Sequence, residues 1–442
     1  MKITNDLIDS NKELFVIPDR DDRYILYSPL NRKVGLINGS GVSTISRFLD
    51  KEEIGTREQR FIKDLYKSGF LNTKALKRPL FPDNYKFMPH EVTLFPTSRC
   101  NLRCRYCYAE AGKKSIDMSE KVAKSAIELV ARNAGLLGLP QFALGFHGGG
   151  EPTLAWDLVT MAVDFAYEVG SNKGLDVEVF AASNGMFNEE QRDFIVNKFS
   201  NLNISMDGPG DIQNYYRPMV NGQGSFDIVY RNLKYFDKVN FKYGIRSTIT
   251  RDSVTRLEEI VEWFKSEFNL TYLHLEPVWQ CGRCRTSGET PPEDKDFVKY
   301  FMKAVEKANK IGVNLIYSGL HLDSLMSRFC AASGDGFNVL PEGIVTSCYE
   351  VTETNDRKAD LFHYGKYDYE QDQFVFDYEK IKSLRQFSVE NLDYCSDCFC
   401  KWHCAGDCIS KVFDLSGSFK HEGSSRCELN RELTFLKIKE LL

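Results

Sequence analysis

Three cysteines within eight residues, Cys100-x3-Cys104-x2-Cys107, carry the most evident chemistry in this sequence. Three thiolates can hold three corners of a four-iron cluster and leave the fourth iron open to a ligand from outside the chain. A structural zinc site wants four ligands, and no fourth Cys or His lies within the loop. Ten further cysteines follow, two at Cys281 and Cys284 and eight between Cys330 and Cys427. Residues 1–15 mix Asp, Asn, Lys and Glu and contain no secretory apolar run. A cytoplasmic, reducing setting is therefore expected, in which clustered thiols read as metal or cluster ligands rather than disulfides.

Other residues gain meaning from where they fall. His147-Gly148-Gly149-Gly150-Glu151-Pro152 is a glycine run whose backbone can approach a ligand closely, because no Cβ intervenes. Ser183-Asn184-Gly185 and Ser205-Met206-Asp207-Gly208-Pro209 each close a strand-like run. Arg246 offers two donors to a carboxylate, and Glu276 is a candidate general base. At the far end, Cys395-x2-Cys398-x5-Cys404-x3-Cys408 is by itself also compatible with a zinc ribbon.

The elements that must position these residues follow from periodicity. Strand-like runs at 92–95, 141–146, 177–182, 202–206, 241–249 and 271–276 are each followed by a helix-period segment. The first such helix follows Asp117-Met118-Ser119-Glu120, read as an acidic capping box. Six β–α units in series predict an α/β fold, a partial (β/α)6 barrel with its site at the C-terminal strand ends. Before it, strand-like runs around ELFVIP, YILYSP and KVGLIN precede two short helices at 40–49 and 57–67. Pro79, Pro82 and Pro89 mark a boundary near residue 85. Beyond about residue 311 the alternation stops, and a loop-rich region needs staples that clusters can supply. The expected domains are thus 1–85, 86–310 and 311–442.

Composition limits the alternatives. The chain has 442 residues, 42% of them hydrophobic, which suits several packed cores. A formal charge of −5 argues against a general nucleic-acid binder. No run is long enough for a transmembrane helix.

The Cys100–Cys107 spacing, with Tyr106 just before the last cysteine and placed after a predicted strand, resembles the radical S-adenosylmethionine (radical SAM) family. That resemblance implies a catalytic [4Fe-4S] cluster on Cys100, Cys104 and Cys107, with S-adenosylmethionine on the open iron. It further implies that Tyr106 lies near the adenine and that Gly149, Gly150 and Glu151 belong to a segment contacting the methionine amino group. Ser183, Asn184 and Ser205 would approach the ribose or substrate cavity, and Arg246 would meet the methionine carboxylate. Cys330-x12-Gly343-x4-Cys348, the later cysteine run and Cys427 resemble the seven-cysteine SPASM extension. By that resemblance Cys395, Cys398, Cys404 and Cys427 hold one auxiliary [4Fe-4S] cluster. Cys330, Cys348 and Cys408 hold a second, with Cys281 or Cys284 as an eighth ligand, or with an open iron. Cys400 falls outside the pattern and reads as a packed thiol.

Residues 13–75 admit two readings, a DNA-binding winged helix or a winged-helix-like leader-peptide recognition domain that accepts a peptide as an added strand. Tyr27-Ser28-Pro29, Gly35-Leu36-Ile37-Asn38 and Gly69-Phe70-Leu71 resemble the latter, and bases interleaved with acids make a weak DNA footprint. The combined resemblance implies a maturase of ribosomally made peptides, in layout most like streptide-type lysine–tryptophan cross-linking enzymes. It would form a carbon–carbon or thioether link and take electrons from a flavodoxin or ferredoxin. The alternatives are an anaerobic sulfatase-maturating enzyme and, from another class, a redox-sensing DNA-binding regulator.

Overall fold

Apolar residues on both faces of one strand, Leu14 and Val16 against Phe15 and Ile17, give it two buried sides. The computed structural model describes residues 2–3, 13–71, 86–321, 323–418 and 420–442. The proline-marked boundary at 79–85 lies outside them. The chain forms two compact units, one of Met1–Tyr85, Ser318–Cys330 and Phe387–Leu442, the other of Lys86–Tyr317 and Ala331–Gln386.

In the first unit, β1 (Lys2–Ile3), β2 (Leu14–Arg20), β3 (Arg23–Ser28) and β4 (Lys33–Asn38) form an antiparallel sheet in sequence order. Helices Gly39–Leu49 and Thr56–Lys67 follow. Asn38 caps the first through the Gly41 N–H at 2.9 Å, which starts the helix where the strand ends. One sheet face, with Leu14, Val16 and Leu26, packs on Ile45, Leu49, Ile62 and Leu65 of those helices. The opposite face, with Phe15, Ile17, Ile25 and Tyr27, packs on Phe399, Phe435 and Ile438 of the cysteine-rich C-terminal segment. Polar contacts seal the same seam. Glu13 pairs with buried Lys401 and accepts from the Trp402 indole N–H, and Tyr27 bonds His403. Sheet and C-terminal segment therefore share a core.

The second unit is built on a parallel sheet. Its strands β5 (Glu91–Leu94), β6 (Gln141–Phe146), β7 (Asp176–Ser183), β8 (Asn201–Ser205), β9 (Tyr243–Ile249) and β10 (Tyr272–Pro277) pair in sequence order, as the alternation predicts. The sheet then runs further than expected. β11 (Asn314–Ile316) adds a seventh parallel strand beside β10, and β12 (Asn338–Val339) pairs parallel with β5. β13 (Ile344–Thr346), β14 (His363–Asp368) and β15 (Gln373–Phe376) continue antiparallel from β12. These strands are two to six residues long, so they leave no long period to read. Ser119 does cap the helix Glu120–Leu136, accepting from Val122 N–H at 3.4 Å. The third helical position is Val122, however, so the reciprocal carboxylate of a capping box is absent.

Alternation sets the two faces of this sheet. Leu94, Phe146, Val179, Ala181, Leu202, Ile204, Ile245, Leu273 and Leu275 are buried. The other face is polar and partly open. A Cβ on Gly244 would sit 2.5 Å from the Tyr272 hydroxyl and 2.8 Å from Asn203 Oδ1, so those side chains share a surface with Gly244. Two residues on, Ser205, Arg246 and His274 lie in one register row.

Candidate active site

The strand ends of the larger unit gather most of the candidate residues. The segment carrying Cys100, Cys104 and Cys107 leaves β5 and is pinned by isolated bridges from Thr97 to Asp117 and from Leu102 to Met219. Arg103 and Arg105 N–H groups donate to the Pro218 and Tyr216 carbonyls at 2.7 and 2.9 Å. Leu102 and Ala111 N–H groups point at the Cys100 and Cys107 sulfurs, each at 3.5 Å. Burial pushes the Cys100 thiol up to about 11, with Glu151 adding to the rise, and burial pushes Cys104 up to about 12. Such sulfurs keep their protons at neutral pH unless a cationic centre replaces them.

Partly buried sulfurs, with backbone donors on two of them, fit three corners of an iron–sulfur cluster, whose sulfurs are tuned by such bonds. Among the described residues, no three His, Cys, Asp or Glu side chains are grouped to hold a single metal ion. A four-iron cube makes a different demand, because each thiolate takes its own iron.

The glycine run docks directly on this loop. A Cβ on Gly150 would lie 2.2 Å from the Arg99 carbonyl oxygen, so only glycine permits the approach, and Glu151 N–H donates to that carbonyl at 2.7 Å. Gly149 is less confined, its Cβ position meeting only Thr352 at 3.5 Å. The Glu151 carboxylate is buried and accepts from the Ser183 hydroxyl, Asn184 N–H and Thr153 hydroxyl at 2.7, 2.8 and 2.9 Å. Burial raises its pKa, and those donors oppose the rise. The Asn184 amide in turn donates to Asn101 Oδ1 at 2.7 Å, beside Cys100. Three strand-end loops are thus tied together.

Tyr106 is held from behind. Its hydroxyl donates to Asp207, which also takes two bonds from Arg217 at 3.0 and 3.2 Å and one from Thr248 N–H at 3.0 Å. This buried trio was not singled out from the sequence, although the Ser205–Pro209 turn was. Ser205 and exposed Arg246 lie on the open face, and Arg246 acts electrostatically on His147 and Tyr108. Glu276 lies at 3.2 Å from His274 Nε2 on the same face.

A second group went unnoticed as a unit. The His147 ring stacks on Tyr349 at 4.5 Å between centroids and 5° between planes. Tyr108 donates to the neighbouring Gly148 carbonyl at 2.7 Å. Burial and the Arg246 charge bring the His147 pKa down to about 4, so the ring is neutral at pH 7.

The turn 280–285 also sits on the cysteine loop. Arg283 donates its backbone N–H to the Cys107 carbonyl at 2.9 Å and its guanidinium to the Cys104 and Ala111 carbonyls at 2.8 and 2.9 Å. A Cβ on Gly282 would lie 2.3 Å from the Tyr108 carbonyl oxygen. Cys284 is buried and its thiol donates to the Glu289 carbonyl at 3.3 Å, whereas Cys281 is partly exposed.

Of the later cysteines, Cys395, Cys398, Cys404 and Cys427 neighbour one another in the smaller unit, where Cys330 and Cys408 also lie. Cys348 belongs to the larger unit. Cys400 is buried with its sulfur 3.2 Å from that of Cys398. A buried pair between Asp407 and Arg426 stands one residue before Cys408 and Cys427, and Ser424 N–H donates to the Cys427 sulfur at 3.2 Å.

The Radical SAM superfamily profile matches residues 94–264, the stretch that carries the three-cysteine loop and the glycine run. A cysteine-type anaerobic sulfatase-maturating enzyme of Clostridium perfringens is 24% identical over 331 residues, 71% of this chain and 86% of that one. Three other curated relatives are matched over 40% to 55% of their own length. The solved structure of native anSMEcpe with bound AdoMet superposes with a TM-score of 0.63 at 21% identity, covering 79% of this chain and 98% of that one. Streptococcus suis SuiB bound to its precursor peptide SuiA gives 0.55 at 15% identity, covering 94% and 100%. Both share the fold.

Proposed function

From the match of residues 94–264 to the Radical SAM superfamily profile, we propose that this chain reductively cleaves S-adenosylmethionine and oxidatively cross-links side chains of a ribosomally made precursor peptide. The link is carbon–carbon or thioether. The observation that carries the reading is the joining of three strand-end loops through Asn101, Asn184, Glu151 and Ser183, which holds the Cys100 segment against the glycine run. Cys100, Cys104 and Cys107 would hold the catalytic cluster. Those residues would thereby place a reducing centre beside the cofactor, the source of the electron needed for cleavage of the sulfonium bond and hydrogen abstraction from the peptide.

The chain's own residues bind and orient. The Gly149–Gly150 backbone receives the methionine amino group, and the Arg246 guanidinium, on the open sheet face, receives its carboxylate. Tyr106, fixed by Asp207, flanks the adenine, while Ser183, Asn184 and Ser205 border the ribose or substrate cavity. Glu276, with His274 at 3.2 Å, accepts the proton that leaves the oxidised peptide. The cysteine groups at 330–427 would hold auxiliary clusters, which would take up the electron that the peptide radical gives up as the link closes. Residues 1–85 receive the leader at the β4 edge, unpaired among the described residues, where Leu36 is 46% exposed and Arg23, Asn38 and Phe61 line an open groove. A flavodoxin or ferredoxin supplies electrons.

The test uses the full chain, reconstituted without oxygen and reduced, with S-adenosylmethionine and a candidate precursor peptide. Deoxyadenosine together with a peptide lighter by the mass of two hydrogens is expected. Neither product appearing would remove the proposal.

A second reading, formylglycine formation on a sulfatase, is favoured by the C. perfringens relative and by the higher TM-score of anSMEcpe. It predicts an aldehyde on one Cys or Ser of a sulfatase peptide and no dependence on a leader.

A further inference from the structure

Cys400 has no place in the spacing pattern of the auxiliary site, yet its sulfur lies among that site's thiols. It is 1% exposed, and its Sγ is 3.2 Å from Cys398 Sγ. One short turn carries both: Cys398 N–H donates to the Cys395 carbonyl at 3.1 Å, and the Cys400 carbonyl accepts from His403 and Cys404 N–H at 2.9 and 3.0 Å. The backbone is therefore already fixed around the pair. A thiol that only fills space packs against carbon. Here sulfur meets sulfur.

We infer that Cys400 is a fifth ligand of the auxiliary cluster site, interchangeable with Cys398. The inference rests on the reading that Cys395, Cys398, Cys404 and Cys427 hold a cluster. With the two sulfurs in contact, a side-chain rotation brings either one to the same iron. In the exchange an iron–sulfur bond to one cysteine forms as the bond to the other breaks. The arriving thiol passes its proton to the departing thiolate, so the thiolate count stays constant and no electron moves. Cys398 is partly exposed and Cys400 is buried, so the exchange moves the ligand between an open and a sheltered position.

The test is iron and sulfide content of the full chain after anaerobic reconstitution with ferrous iron and sulfide. Cys398→Ser and Cys400→Ser are each expected to keep the wild-type iron content, and the double variant, in which one iron has no protein ligand, to lose at least about one iron per chain. A loss in Cys398→Ser as large as in the double variant overturns the inference, as does a double variant that loses none while Cys395→Ser does. Cys395→Ser keeping full iron would instead overturn the auxiliary-cluster reading beneath it. Should the double variant fail to fold, Cys398→Ser alone still decides, because the inference requires it to retain its iron.

Discussion

The Ser183 hydroxyl donates to the Glu151 carboxylate at 2.7 Å, tying the end of β7 to the loop that follows β6. Ser183→Ala leaves a buried carboxylate short of a donor, a loss of about 1.4 kcal/mol. If the glycine run binds S-adenosylmethionine, its Kd rises about tenfold while the iron content of the protein stays unchanged. Isothermal titration of the reconstituted protein reads the Kd, and a colorimetric iron assay reads the iron content.

Arg283 clamps the cysteine loop through the Cys104 and Ala111 carbonyls. Arg283→Gln cannot span both acceptors. Iron bound at the first site should then be stripped several-fold faster by a chelator. Iron elsewhere should be stripped at the wild-type rate. Colorimetric iron release over time, compared with Cys104→Ser, separates the two pools.

The two clamps differ in how legible they were. The parallel strands and their order follow from the period switching along the chain, and the three-cysteine loop is local, so both can be read directly. Arg283 touches Cys104 and Ala111, Asp207 and Arg217 meet Tyr106, and Tyr349 meets His147, all across more than 100 residues of chain that only the fold brings together. The strands β12–β15 escaped notice because they span two to six residues, too few for a hydrophobic period. The apolar run Leu14–Ile17 is visible in the sequence, but what covers its second face, Phe399, Phe435 and Ile438, lies hundreds of residues on.

That shared core changes how leader binding is tested. Deleting residues 1–85 would uncover Phe399, Phe435 and Ile438 and strand Lys401, which is buried against Glu13. Even Glu13→Gln should cost about 3–5 kcal/mol by leaving a buried cation unpaired. Truncation is expected to give aggregated protein, seen by gel filtration. Leu36→Asp on the β4 edge is the cleaner probe, since Leu36 is exposed. Burying a leucine is worth about 1.5–3 kcal/mol, so the Kd for the leader, read by fluorescence anisotropy, should rise tenfold or more with folding intact.

His147 gives a pH dependence. Its folded pKa of about 4 lies below the usual 6.5, so between those values the unfolded chain binds the extra proton and stability falls with falling pH. From pH 7 to pH 5 the loss attributable to this ring is about 2 kcal/mol. The urea midpoint should drop more over that range in the wild type than in His147→Gln. Equal drops in the two would contradict the assignment.

On the proposed function, the Cys100–Cys107 loop carries a cluster with an iron open to S-adenosylmethionine. Electron paramagnetic resonance of the reduced full chain, recorded with and without S-adenosylmethionine, tests it most directly. The predicted result is a [4Fe-4S] signal whose g-values shift on adding S-adenosylmethionine, with the shift absent in Cys104→Ser. A wild-type spectrum that does not respond, or a response that survives in Cys104→Ser, contradicts it.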